Sequence, residues 1–221
     1  MFTKNIRFKS LPRKKSEKKI KQKLNMILNE KNEILKSLSQ NYFNNYNLKH
    51  IKKINGKNDV RVIGMGGSIL GSQAIHSFFK DRIKKKFYFF DNLKSSIKSN
   101  LTKKITNLVI SKSGNTLETV SIFNIFLKKK DNNIFITQNK KSYLLNLAQK
   151  LKAEIVHHNN FIGGRYSVLS EVGMLPAELM GLDPRKFRQL NNLVKNKRFL
   201  NFLVQNTNSI LHFSKKKFNS I

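Results

Sequence analysis

A chain of 221 residues with 39% hydrophobic and 25% charged side chains can bury a sizeable core, which excludes disordered and fibrous classes. The absence of cysteine excludes disulfides, thiolate metal sites and a cysteine nucleophile. A net charge of +32 is compatible with polyanion binding, but it comes from 36 Lys against only 8 Arg and is spread along the whole chain.

The first fifteen residues form a basic lead in which Asn5–Phe8 predicts a short strand, and Met1 to Lys19 has no apolar segment of the kind a secretory signal needs. Between Ser16 and Ser39, Ile20, Leu24, Ile27, Leu28, Leu35 and Leu38 recur at three- and four-residue steps, which predicts one amphipathic helix. An Asn-rich connector then leads to Gly56. From there the period changes. Short apolar runs at Val60–Gly64, Phe87–Phe90, Leu108–Ile110, Ile134–Thr137 and Glu154–His157 predict five strands. Helical patterns separate them: to about Lys80, to Lys104, over Leu117–Lys128 and over Tyr143–Leu151. Such alternation predicts an α/β fold, a doubly wound five-stranded parallel sheet with flavodoxin-like order 2-1-3-4-5 and helical flanks at both ends. Helical spacing resumes at Ser170–Met180, breaks at Asp183-Pro184 and continues through Leu190, Leu193, Phe199, Leu203 and Leu211. The expected organisation is an N-terminal helical extension over 1–59, the sheet domain over 60–158, and over 159–221 a helical linker opening an incomplete second domain. No apolar run reaches bilayer length, so the expectation is a soluble, cytoplasmic protein without a membrane partner.

Two loops carry chemistry. Gly64-Met65-Gly66-Gly67-Ser68 follows the first strand and opens a helix, where free N–H groups and a positive dipole end favour an anion. The same glycines could equally serve a tight turn alone. Ser111-Lys112-Ser113-Gly114-Asn115-Thr116 follows the third strand and packs three hydroxyls and an ammonium into six residues. An N-cap by Ser113 or Thr116 would explain part of that set. In the order 2-1-3-4-5 the topological switch lies between strands one and three, so both loops wall one crevice. Neither is a nucleotide fingerprint: no Gly-x-x-x-x-Gly-Lys run is present, and position 69 is Ile where Gly-x-Gly-x-x-Gly needs Gly. A small phosphorylated ligand fits, with no cofactor and no metal expected.

Three segments resemble the glucose-6-phosphate isomerase family: Gly64–Gly71, Ser111–Thr119 and the longer Gly163–Ala177. The first two are shared in outline with sugar isomerase (SIS) domains generally; the third is specific to the isomerase. The resemblance covers roughly residues 60–185. It implies that Gly67, Ser68, Ser111, Lys112, Ser113 and Thr116 hold the substrate phosphate. It implies too that Arg165 faces the charge that develops as a proton moves between C1 and C2, although a surface or capping arginine is the plainer alternative. Asn115 departs from the threonine of many relatives, and its tolerance of unusual backbone angles makes the change mild. The implied reaction interconverts glucose 6-phosphate and fructose 6-phosphate in a protein that is a homodimer when full length.

The family's proton-shuttling glutamate, its ring-opening histidine and a C-terminal lysine belong to motifs that these residues do not match, so binding without turnover is expected of this chain. Glu118 and Glu171 lie in the matched segments but not at the base position, and Glu171 is expected to be solvated or paired on its own helix. His157 and His158 are expected to face solvent, and His76 to be partly buried. A competing reading is a non-catalytic SIS module that binds a sugar phosphate. The lysine excess accompanies 28 Asn and 21 Ile, types that share A/T-rich codons, whereas nucleic-acid sites favour Arg. Nucleic acid is therefore disfavoured as a partner.

Overall fold

The computed structural model describes residues 17–93, 103–188 and 196–215. They form two compact units, one of residues 42–186 and one drawn from 1–41 and 187–221. In the latter, α1 (Glu17–Asn29), α2 (Glu33–Ser37) and, near the C-terminus, a nineteen-residue helix over Lys197–Lys215 are the described elements. The single helix expected over Ser16–Ser39 is broken. Asn32 adopts extended backbone and its Oδ1 accepts the Leu35 N–H at 2.8 Å, so it caps a new helix and ends the run.

The larger unit holds α3 (Leu48–Asn55), β1 (Asp59–Gly64), α4 (Leu70–Phe78), β2 (Phe87–Phe90), β3 (Ile105–Ile110), α5 (Leu117–Phe126), β4 (Asn132–Thr137), α6 (Tyr143–Lys150), β5 (Glu154–His157) and α7 (Glu171–Leu179). A short α8 (Pro184–Phe187) follows, which makes the Lys197–Lys215 helix α9. The five strands form one all-parallel sheet in the order β2-β1-β3-β4-β5, as the alternation of elements predicts. The strand expected at Asn5–Phe8 and most of the helical stretch expected before Lys104 lie outside the described residues, as do Leu190 and Leu193.

A parallel sheet covered on both faces must bury nearly every strand residue, and β3 is buried along its whole length. On one face Ile63, Val109 and Phe135 meet Ile122, Phe123 and Phe126 of α5 and Leu144 and Ala148 of α6. Full burial of side chains of this size contributes about 1.5–3 kcal/mol each. The strand over Leu108–Ile110 begins three residues earlier than expected. Thr106 and Asn107 read as polar, yet both are buried. Asn107 accepts from Arg61 Nη1 at 2.8 Å and donates to Asn133 Oδ1 at 2.8 Å, making a polar ladder across three strands. Arg61 itself is buried, lies 4.0 Å over the Phe126 ring and is 3.9 Å from Asp131. Burial holds its guanidinium below the ordinary value, and Asp131 opposes that shift.

All five strands run the same way, so the residues that precede them line one edge of the sheet. Those residues include Lys57, Lys84, Lys85, Lys86, Lys103, Lys104, Lys129, Lys130 and Lys152. The loops that follow β1 and β3 leave from the opposite edge. These nine lysines are thereby kept away from them. Among the described residues, no helix is long and apolar enough to cross a membrane.

Candidate functional site

β1 and β3 pair in register up to Gly64 and Ile110, so the loops of interest start from adjacent strand ends. A Cβ on Gly64 would lie 2.9 Å from the Ile110 carbonyl oxygen, and only glycine permits that approach. The first loop turns through Gly66 at φ +51° into a short 3-10 turn over Gly66–Ser68. Gly67 and Ser68 therefore sit just before α4, and Ser68 is half-buried.

The second loop is tightly organised. Ser111 is buried, and its Oγ lies 2.9 Å from Thr116 Oγ1 and accepts the Gly114 N–H at 3.2 Å. Ser113 Oγ is 3.5 Å from the same threonine oxygen. Thr116 occupies the N-cap position of α5 but its side chain makes no cap hydrogen bond. The capping alternative therefore does not account for the hydroxyls, which converge on one another. Gly114 has φ +68°, and a Cβ there would overlap the Ser142 hydroxyl and lie 3.0 Å from Thr137 Oγ1. Asn115 takes no unusual backbone angle; its Oδ1 accepts the Tyr143 N–H at 2.8 Å and ties the loop to the start of α6.

Lys112 sends its Nζ to the carbonyl of Asn160 at 2.8 Å. An ammonium has three donors, so two remain for an anion. Arg165 is exposed, near the start of a 3-10 helix over Gly164–Leu169, and makes no hydrogen bond or ion pair with a described residue. What brings it to the first loop is a backbone contact: a Cβ on Gly67 would overlap the Gly164 carbonyl and lie 2.9 Å from its Cα. Ser167 Oγ strengthens the junction by donating toward Gly164 O at 2.8 Å and Gly67 O at 3.2 Å. Thus Gly67, Ser68 and Arg165 share one junction, while Ser111, Lys112, Ser113 and Thr116 share the neighbouring loop. The Gly64–Ile110 pairing links the two groups on one side and the Lys112–Asn160 bond on the other.

Two expectations fail. Glu171 is neither solvated nor paired on its own helix but fully buried, and His158 is 3% exposed where a solvent-facing ring was expected. Glu171 Oε1 accepts the Asn159 N–H at 2.8 Å and stands 3.0 Å from His158 Nδ1, and Oε2 accepts from Tyr42 Oη at 3.2 Å. Burial alone would push this carboxyl up. The hydrogen bonds from His158, from its own N–H and from Asn159, with the His158 charge, outweigh burial and hold it below the ordinary range. The signal for burial was present in the sequence: one acid opens a segment that is otherwise Val-Gly-Met-Leu-Pro-Ala. His76 is half-buried as expected, its ring 5.3 Å from that of Phe89. Glu118 is half-buried in the first turn of α5, where a carboxylate complements the helix dipole. Among the described residues, no group of three or more His, Asp or Glu could hold a metal ion.

Residues 9–196 match the phosphoglucose isomerase family model. The glucose-6-phosphate isomerase of Methanocaldococcus jannaschii is 34% identical over 170 residues, 70% of this chain and 42% of that protein. The Clostridium perfringens enzyme of the same name is 36% identical over 159 residues, 60% of this chain and 35% of that one. The chain thus spans less than half the length of these curated relatives. Among solved structures, a hypothetical protein from Thermus thermophilus superposes with a TM-score of 0.67 at 21% identity, covering 89% of this chain and 52% of that one. The tagatose-6-phosphate ketose/aldose isomerase of Escherichia coli gives 0.51 at 13%, covering 66% and 45%. At these identities the likeness is one of fold.

Proposed function

The chain belongs to the phosphoglucose isomerase family, and from that premise we propose that it serves the interconversion of glucose 6-phosphate and fructose 6-phosphate. Ser111, Lys112, Ser113 and Thr116, with Gly67 and Ser68, grip the substrate phosphate, and Arg165 faces the sugar. The observation that supports this reading is the Gly67–Gly164 backbone junction, which puts the residue before Arg165 against the loop that follows β1.

Phosphate binding suits these groups because converging hydroxyls, an ammonium with two spare donors and backbone N–H groups can share a tetrahedral dianion. Isomerisation moves a proton between C1 and C2 through an enediolate-like species. A fixed guanidinium stabilises that developing charge without reorganising. The same proposal includes a SIS-type domain centred on residues 60–158 and a cytoplasmic homodimer, the latter read by light scattering.

The test is isothermal titration of the chain with fructose 6-phosphate and with fructose, using Ser111→Ala as the site control. Selective binding of the phosphate ester, lost in Ser111→Ala, is the expected result. Equal binding of both sugars, or no dependence on Ser111, overturns the reading. A coupled isomerase assay runs beside it, where binding without turnover is expected. Turnover abolished by Ser111→Ala would place the base among these residues, with Glu118 ahead of the fully enclosed Glu171.

A further inference from the structure

Taking that reading as its basis, we propose that the buried His158–Glu171 pair is a positioning device for both cations of the site, Lys112 and Arg165. The segment from His158 to Ile162 is closed on itself by these two side chains. His158 Nδ1 stands 3.0 Å from Glu171 Oε1, and its Nε2 stands 3.0 Å from the Ile162 carbonyl oxygen. Each ring nitrogen thus has one partner within hydrogen-bond distance, and the ring is clamped at both ends. Glu171 also fixes the Asn159 N–H at 2.8 Å, so one carboxylate holds two successive residues. Tyr42 Oη occupies its second oxygen.

Both cations depend on that closed segment. Its Asn160 carbonyl holds Lys112 Nζ at 2.8 Å. Its last residue, Ile162, is followed directly by Gly163, Gly164 and Arg165. The Lys112 ammonium and the backbone that carries Arg165 therefore share a common support, one through a hydrogen bond and the other through the chain itself. A neutral side chain at position 171 would take away the charged acceptor of the Asn159 N–H and loosen the clamp on His158. The titratable groups bearing on the pair are Tyr42, Glu171 and His158 themselves, with His157 next in the chain and Lys112 reached through Asn160.

The test is a double-mutant cycle in fructose 6-phosphate affinity with Glu171→Gln and Lys112→Ala, read alongside amide exchange. Each single change is expected to weaken binding roughly tenfold, and the double change by little more than the larger single loss, because the two act through one support. Losses that multiply, or wild-type affinity in Glu171→Gln, overturn the inference. Amide exchange of residues 159–166 reads the support without ligand. It should quicken at least about tenfold in Glu171→Gln while β3 stays protected. Unchanged exchange overturns the inference even if fructose 6-phosphate binds. If the wild-type chain fails to bind the sugar phosphate, the functional reading falls, and the exchange result still decides whether the support exists. If Glu171→Gln also exposes β3, Tyr42→Phe replaces it in the same cycle. That change keeps the His158–Glu171 contact and removes one donor, and a smaller, non-multiplying loss is expected; no coupling to Lys112 counts against the proposal.

Discussion

Gly67 and Gly164 touch backbone to backbone, and a methyl group on Gly67 would lie 2.9 Å from the Gly164 Cα with nothing flexible to yield. Separating two backbones costs more than moving the tip of a side chain, and overpacking of this kind destabilises by about 1–3 kcal/mol. Gly67→Ala should therefore lower the melting temperature and weaken sugar-phosphate binding together, because the shift carries Arg165 away from Ser68. Thermal unfolding and titration on the same variant check this. A variant with unchanged affinity would show that the junction does not shape the site.

The Ser111–Thr116 pair supports a sharper separation of stability from binding. The two hydroxyls are 2.9 Å apart, and Ser111 also accepts the Gly114 N–H. Thr116→Val keeps the shape of the side chain and removes one hydroxyl from the cluster without touching a helix cap. Losing a hydrogen bond to a charged ligand costs about 1.5–3 kcal/mol, or roughly ten- to a hundredfold in affinity. Fructose 6-phosphate affinity should fall by that factor while the denaturation midpoint moves little. A large midpoint shift with intact affinity would make the cluster structural.

Strand order and the two anion-type loops were legible because both signals are local: apolar runs alternate with helical spacing, and glycines and hydroxyls concentrate just after strands one and three. The early start of β3 was hidden because Thr106 and Asn107 read as polar, and their burial depends on Arg61 and Asn133 from neighbouring strands. The break before α2 rests on one side-chain cap at Asn32 within an unbroken apolar stripe. The apolar run after Glu171 signals its burial, but its pairing with His158 is hidden for a related reason. Each is a satisfactory buried group only in the presence of the other, and sequence spacing does not reveal that they meet.

The Glu171 carboxyl gives stability a pH dependence of definite sign. Its folded-state pKa lies below its ordinary value of 4.5, so the unfolded chain takes up the proton first. The ionised form contributes stability that is fully present above the ordinary value and is lost as pH falls through the folded one. Glu171→Gln resembles the protonated acid. Its deficit in urea denaturation should be full near neutrality and close progressively in acid. A deficit that stays constant across that range would mean that shape, not charge, holds the segment.

Arg165 should discriminate between a neutral sugar and one that carries charge where the enediolate would. The guanidinium is exposed and uncommitted, so Arg165→Ala leaves no buried partner unpaired and should fold as the parent does. Fructose 6-phosphate presents no charge near C1 and C2, whereas a phosphorylated aldonic acid presents a carboxylate there. An interaction that strengthens with developing charge should show in the second ligand more than in the first. Arg165→Ala should weaken the aldonate phosphate by roughly ten- to a hundredfold and fructose 6-phosphate by only a few-fold. Arg165→Lys should recover part of the difference, since a point charge replaces the planar fork. Titration of both ligands against both variants settles the role. Equal losses for the two ligands would assign Arg165 to the phosphate and would move the sugar to another part of the pocket.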